Sequence, residues 1–282
     1  MFRRIPLILF LIISNIVSAQ VDIKRFSESQ RIFFVAEEKN LLATTNNPAS
    51  IGINDNNSGF ILSYDFENLN YQGNSSAYIS FNNFGFFYQD VYSINSVRLQ
   101  NYAVSLSVGD DIISLGNSLR FINASYPDND LNYFSFDGGI LFKPLEFISF
   151  GLLARNINQI RLDSINYERY YSAGLGLFFL DKTFNLFAEA YFKDNSKIDN
   201  ITTTVGLTIS PLEILEIRAA VTLNPEDLKI IRSEQFQTID LNYESFLGAS
   251  VKLLEAIKIG AAVFFNDRGE KTSFTTFIAL PL

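Results

Sequence analysis

Carboxylates, lysines and arginines are the side chains of this 282-residue chain that could take part in acid–base chemistry or ion pairing, because the chain has neither histidine nor cysteine. This composition excludes the usual nucleophilic triads and dyads, thiolate metal sites and disulfides. Adjacent carboxylates occur at Glu37–Glu38 and Asp110–Asp111, and such pairs can serve acid–base or metal chemistry. Each pair lies beside a turn or in a polar stretch, so we expect solvated charges. The sequence therefore predicts a non-enzymatic protein with no metal site and no cofactor.

Across the later apolar segments, the face with the apolar residues is nearly free of charge, and the charged residues fall on the opposite face. Alternation with one apolar face is the pattern of a β-strand. On the lipid face of a membrane strand, Lys or Arg costs about 2–4 kcal/mol near the midplane, so these charges would have to face the lumen of a barrel. The alternative is the solvated face of a soluble sheet. The residues concerned are Arg120, Asp137, Arg155, Glu189, Arg218 and Lys258.

Arg120 and Asp137 lie at inward parity on consecutive predicted strands, and Arg155 lies on the strand that follows. We predict that Arg120 and Asp137 pair, with Arg155 joining the pair across the next hairpin. Such a network would either close the pore or simply compensate buried charge.

One phrase occurs three times, at 142–156, 209–223 and 251–265. Each copy has an apolar run, a short break closed by Leu-Glu and a second apolar run. After the Leu-Glu, every second residue is apolar over about ten residues, which is the length of a tilted membrane-spanning strand. Because the spacing between copies differs, a uniform solenoid is excluded.

The alternating segments predict an all-β fold, a transmembrane antiparallel up-and-down β-barrel of about fourteen strands. Tight breaks, such as those at Pro144–Leu145 and Pro211–Leu212, alternate with longer links such as 125–130, 156–167 and 224–238. A soluble sandwich would need Greek-key crossovers instead. The predicted strands are 58–66, 75–82, 84–94, 97–108, 111–123, 131–143, 147–156, 168–180, 184–194, 200–210, 214–224, 238–252, 256–267 and 270–282.

The N-terminal region divides into two predicted parts. Residues 1–19 have two arginines, a short apolar core and small residues before Gln20, which predicts a signal peptide cleaved near Ala19; a membrane-anchor helix is the alternative. We predict that residues 20–57 form a plug-like segment before the barrel at 58–282. This segment contains Asn47, Pro48 and Ala49, which either form a turn leading into the first strand or belong to a hatch over a luminal or lateral path.

The acidic balance of the chain, with a net charge of −8, argues against a nucleic-acid partner. Its many phenylalanines and tyrosines are typical of the aromatic girdles of outer-membrane barrels. We therefore predict that the mature chain lies in the outer membrane of a Gram-negative-type bacterium, with outer-membrane lipid as its first partner.

Several phrases of the chain resemble the PorV/PorQ branch of the FadL-like outer-membrane proteins. The resemblance implies a fourteen-stranded barrel with an N-terminal segment entering or plugging the lumen. It implies a role as a component or shuttle of the type IX secretion system, while the wider FadL-like group includes transporters of hydrophobic compounds. The matching phrases are 47–49, 113–122, 134–144, 148–151 leading to Arg155–Asn156, and 217–219.

Three functions follow as hypotheses. The leading one is a non-enzymatic component or docking partner in protein secretion, whose partners are secretion-system proteins or secreted cargo and whose contact surface is the loop 224–238. The alternative is a transporter of hydrophobic small molecules. The third is a structural barrel or a secreted soluble β protein.

Overall fold

The structure is a computed structural model of the chain. It describes residues 21–22, 34–37, 43–53, 58–67, 73–92, 98–126, 130–158, 165–166, 169–193, 201–223, 229–232, 237–240, 243–253, 257–266 and 268–281.

Fourteen antiparallel strands form one closed barrel, which confirms the predicted fold class. Each strand pairs with its neighbours in the chain, and β14 pairs with β1, from Ser273 opposite Glu67 to Pro281 opposite Gly59. The strands are β1 (Gly59–Glu67), β2 (Gly73–Phe81), β3 (Phe84–Tyr92), β4 (Arg98–Gly109), β5 (Ile113–Ser125), β6 (Asp130–Leu145), β7 (Ile148–Arg155), β8 (Tyr170–Phe179), β9 (Phe184–Lys193), β10 (Thr202–Leu212), β11 (Leu215–Leu223), β12 (Tyr243–Leu253), β13 (Ile257–Phe265) and β14 (Lys271–Pro281).

The two faces of the wall follow the alternation of the sequence. Along β4, Leu99 and Asn101 are buried inside the barrel, while Val104 and Leu106 point outward and are 43% and 51% exposed. The same pattern continues around the barrel, so its outer surface is largely apolar. Since a closed barrel pairs the backbone groups of its strands, such a surface is suited to the hydrocarbon of a bilayer.

The turns show why two predicted breaks are displaced. The sequence predicts tight turns at Pro144 and Pro211, but both prolines lie within strands, β6 and β10, and the chain turns one or two residues later. The strand register shifts beside each proline, between Phe142 and Leu145 and between Ile209 and Leu212. A proline cannot donate to the ladder, and a bulge accommodates it there.

Short elements lie outside the wall. Val21–Asp22 pairs in parallel with Ile165–Asn166, and Lys229–Arg232 forms a hairpin with Gln237–Asp240 in the link between β11 and β12. The strand predicted at 238–252 therefore begins only at Tyr243. A helical turn at Ala43–Asn46 is followed by a 3-10 turn at Pro48–Ile51. Among the residues described, no helix combines the length and the hydropathy of a membrane span.

Candidate functional site: the plug and the lumen

Residues 34–37 and 43–53 lie inside the barrel, and we call them the plug. Asn47, Ala49 and Ser50 are completely buried. The 3-10 turn of the plug packs against β4, β5 and β6. Within the plug, the Ser50 hydroxyl donates to the carbonyl of Glu37 at 3.0 Å, which ties its two described pieces together.

The Asn47 side chain is the central link between the plug and the wall. Its Nδ2 donates to the carbonyl of Val35 at 2.8 Å, within the plug, and to the carbonyl of Ile140 on β6 at 3.1 Å. Its Oδ1 accepts from the Ala49 N–H at 3.1 Å, so the same amide caps the 3-10 turn that begins with Pro48. The turn interpretation of these three residues thus has a geometric basis, whereas their role in a hatch stays a prediction.

Glycines line the wall where the plug touches it. A Cβ at Gly116 would overlap the backbone of Pro48 and Ala49, and one at Gly151 would overlap the carbonyl of Val35. Gly139 and Gly174 are similarly close to the plug. Gly116 lies opposite Gly139, and Gly151 lies opposite Gly174, on paired strands. Only residues without side chains let the backbone of the plug approach so closely.

Aromatic and ionic contacts join the plug to the other side of the barrel. The ring of Phe34 stacks on Phe187 of β9 at a centroid distance of 4.7 Å. The Glu37 carboxylate binds Arg218 of β11 through two bonds, of 2.6 and 3.0 Å. The Val35 N–H donates to the Glu189 carboxylate at 3.0 Å.

Glu37 corrects one prediction, because it is 6% exposed and paired instead of solvated. Its partner Arg218 also binds Glu216 at 2.8 Å, and Glu216 in turn accepts from Lys258 at 2.8 Å. The four side chains form an alternating ionic chain from the plug across β11 to β13. Alternation of charge compensates each buried ion.

The structure brings Arg120, Asp137 and Arg155 together inside the barrel. The Nε of Arg120 donates to the Asp137 carboxylate, and the Nε of Arg155 lies 3.6 Å from the same carboxylate. Asp137 also accepts from the backbone N–H of Asn156 at 3.0 Å, and the guanidinium of Arg155 lies over the ring of Tyr170 at 5.0 Å. Whether this network closes a pore stays a prediction.

Aromatic side chains fill the part of the lumen away from the glycines. They project inward from β2, β3, β8, β9 and β12–β14, are joined by one ring of the plug, and form one buried cluster with aliphatic residues. The rings of this luminal aromatic cluster belong to Phe34, Tyr78, Phe87, Phe178, Phe187, Phe246, Phe264 and Phe277.

The barrel fold is shared with a solved channel. The chain is similar to the CymD monoaromatic hydrocarbon channel, with 10% identity, coverage of 88% of this chain and 94% of that chain, and a TM-score of 0.56. A mutant of the Rh. blastica porin aligns with 9% identity over 79% of this chain and 98% of that chain, at a TM-score of 0.40. No protein-family model and no curated protein sequence matches the chain.

The described residues contain no group of three or more acidic side chains that could hold a metal ion. What the site does hold is a set of contacts that join the plug to opposite sides of the barrel. The sequence carried a signal for the contacts with the glycines, since these glycines stand at inward parity on neighbouring strands. It carried none for the pairing of Glu37 with Arg218, which are far apart in the chain.

Proposed function

We propose that this protein is an outer-membrane channel for hydrophobic small molecules whose lumen is closed by the plug. The luminal aromatic cluster carries the proposal, because inward-facing rings give small apolar molecules a favourable surface along the barrel. A barrel with a water-filled pore has a polar interior instead. The fold shared with a monoaromatic hydrocarbon channel supports the choice of small aromatic hydrocarbons as the first compounds to test.

The outer membrane is the proposed location, after removal of residues 1–19 as a signal peptide. The apolar outer face supports a bilayer environment, since lipid-facing residues such as Leu115 and Phe136 are 53% and 50% exposed. Residues 20–57 are then the hatch, and 58–282 the barrel. Outer-membrane lipid and the transported compounds are the proposed partners.

Opening requires the plug to move away from the luminal aromatic cluster. Phe34 belongs to this cluster, so displacement of the plug would remove one ring from the packed lumen. The Glu37–Arg218 ion pair and the Asn47 hydrogen bonds hold the closed state. In this proposal the Arg120–Asp137–Arg155 network stays in the wall beside the plug when the plug moves. We also propose that this network helps to close the pore.

Uptake of radiolabelled toluene by cells whose outer membrane contains lipopolysaccharide tests the proposal. Cells that produce the protein should take up toluene faster than cells with an empty vector, while uptake of radiolabelled glucose should not change. Equal toluene uptake in both cell lines would reject the channel.

A disulfide between plug and wall tests the gate separately. The Ala36 Cβ lies 3.4 Å from the Cβ position of Gly174, close to the separation of about 3.5–4.5 Å found in disulfides. The variant combines Ala36→Cys and Gly174→Cys with Val35→Ala, which removes a methyl group that would overlap the new side chain. Its oxidised form should lose toluene uptake and recover it on reduction, and Val35→Ala alone is the matched control.

A docking role in protein secretion is the second candidate. The filled lumen favours it, since a plug that packs against glycines on one side and binds Arg218 on the other is a stable structural unit. The hairpin of 229–232 and 237–240 would then present the contact surface. Copurification of secreted proteins with the wild type, lost when 224–238 is replaced by a short Gly-Ser link, together with no toluene uptake, would favour docking over transport.

A further inference from the structure

The outer face of the barrel has a concave groove of about 550 Å³ between β5 and β9. Paired residues line it in one row across five strands: Asn117 lies opposite Gly138, Gly138 opposite Ala154, Ala154 opposite Tyr171, and Tyr171 opposite Phe192. The small residues form the floor of the groove, and the two rings, whose centroids are 5.4 Å apart, form one side. Volumes of about 300–1,000 Å³ are typical of small-molecule sites.

Asn117 is a polar side chain inside an otherwise apolar part of the outer face. It is exposed, and its neighbours on the same face are Leu115 and Leu119 along β5 and Leu106 across from it on β4. Within the described part of the chain, its side-chain amide makes no hydrogen bond. In hydrocarbon an amide without a hydrogen-bond partner costs several kcal/mol, so Asn117 is unfavourable at this position unless a ligand binds there.

The groove is reached from the bilayer. The strands beneath it are paired at the lining positions, and the plug covers the inner side of the same wall at Gly116 and Gly139. A molecule that binds in the groove must therefore dissolve in the membrane first. A hydrocarbon body would fill the volume over Gly138 and Ala154, and one hydroxyl group would satisfy the amide of Asn117.

We propose that this groove binds a small membrane-dissolved alcohol or phenol, with Asn117 as its hydrogen-bonding residue. A hydroxyl both donates and accepts, as the amide does, and the flat rings of Tyr171 and Phe192 suit an aromatic body. The site is separate from the lumen, and it does not depend on the proposed transport function.

A tryptophan in the groove gives the reporter, because the chain has no tryptophan of its own. The variant Phe192→Trp, the groove reporter, is reconstituted in liposomes and titrated with 4-bromophenol and with bromobenzene, both expressed as concentration in the membrane. Phe86→Trp, on the outer face of β3, is the control reporter for ordinary contact with the bilayer. We expect half-maximal quenching of the groove reporter at a roughly three- to tenfold lower concentration of 4-bromophenol than of bromobenzene, as one net hydrogen bond predicts.

Two substitutions in the Phe192→Trp background separate the parts of the site. Asn117→Leu should abolish the difference between the two compounds. Gly138→Leu should fill the groove and reduce quenching by both to the level of the control reporter; a Cβ at Gly138 meets only the Ile157 side chain, at 3.3 Å, and the Asn117 side chain, so the wall should still fold. Heat-modifiable gel mobility checks the folding of each variant.

Three results would overturn the proposal. Equal quenching of the groove reporter by the two compounds, without further substitution, would show an ordinary lipid-facing surface. Strong quenching by a phospholipid with brominated chains that 4-bromophenol does not displace would make a lipid chain the occupant. Cross-linking of two copies through Ala154→Cys, with no quenching by 4-bromophenol, would make the groove an interface between copies. None of these measurements involves uptake, so they can reject the groove proposal without affecting the proposed channel function.

Discussion

The plug meets the two sides of the barrel through different kinds of contact. Toward β5–β8 it lies directly on glycines, with its backbone against Gly116 and Gly151, and the hydroxyl of Ser149 donates to the carbonyl of Ala36 at 2.6 Å. Toward β9 and β11 it is held by side chains, through the ring of Phe34 and the carboxylate of Glu37. Backbone contacts against glycine leave no room for adjustment, whereas rings and ion pairs can separate and form again. The contacts with β5–β8 therefore fix the position of the plug, and the contacts with β9 and β11 determine how easily the plug leaves the lumen.

Breaking the ionic contact should have the largest effect. Arg218→Leu leaves Glu37 buried without a cation and leaves Glu216 with Lys258 alone, which should destabilise the folded barrel by about 4 kcal/mol. Urea titration in detergent micelles, followed by heat-modifiable gel mobility, measures the free energy of unfolding. The double variant Glu37→Gln with Arg218→Leu should recover part of that loss; equal losses in the single and double variants would show that Glu37 does not interact with Arg218.

A side chain on the glycine surface should have the next largest effect. Gly116→Val would overlap the backbone of Pro48 and Ala49 and should cost about 3 kcal/mol, because neither backbone can move aside. Gly138→Val, nearby on the outer face of the same wall, is the matched control and should cost much less. Limited proteolysis should cut residues 20–57 in the first variant while the barrel stays intact. Equal protection in both variants would contradict the close approach of the plug.

Two substitutions of Asn47 separate the contribution of the 3-10 turn to stability from that of the bonds to Val35 and Ile140. Asn47→Ala removes both donated bonds and the cap of the 3-10 turn and should cost about 2 kcal/mol. Asn47→Asp keeps the acceptor for the Ala49 N–H but, when ionised, cannot donate to Val35 or Ile140. If the two bonds donated by the Asn47 amide are the main contribution, the two variants should expose the plug to protease equally. A harmless Asn47→Asp would assign the main role to the turn.

The smallest effect should come from a turn that does not touch the plug. Asp110, between β4 and β5, accepts from the N–H groups of Ile112 and Ile113 at 2.9 Å. These bonds, led by the one from Ile113, lower the pKa of Asp110 below its usual value. A lowered pKa stabilises the fold above the unfolded pKa, and this stabilisation is lost as the pH falls through the folded pKa. The slight stability difference between wild type and Asp110→Ala should therefore be present at pH 7, begin to shrink at about pH 4, and vanish only when the pH is below the lowered pKa of folded Asp110.

The barrel could be predicted from the sequence because each strand has its own alternation of apolar and polar residues. The alternation along β4–β7 and around 209–223 assigns a face to every residue, which is why the inward charges Arg120 and Asp137 could be paired in advance. The plug carries no such period, and Glu37 looks like a solvated charge until its distant partner Arg218 is known. The sequence does contain an indication of the groove, because Asn117 is a polar residue at outward parity.

The pairing of β14 with β1 has a consequence for biogenesis. The wall is complete only when its last strand lies against its first, and the plug immediately precedes that first strand in the chain. A buried segment on the N-terminal side of the seam is most simply enclosed when it docks on β5–β7 while the seam is still open. Insertion into the membrane and internal packing would then be a single event, and a chain with a misplaced plug would be delayed at the step of closure.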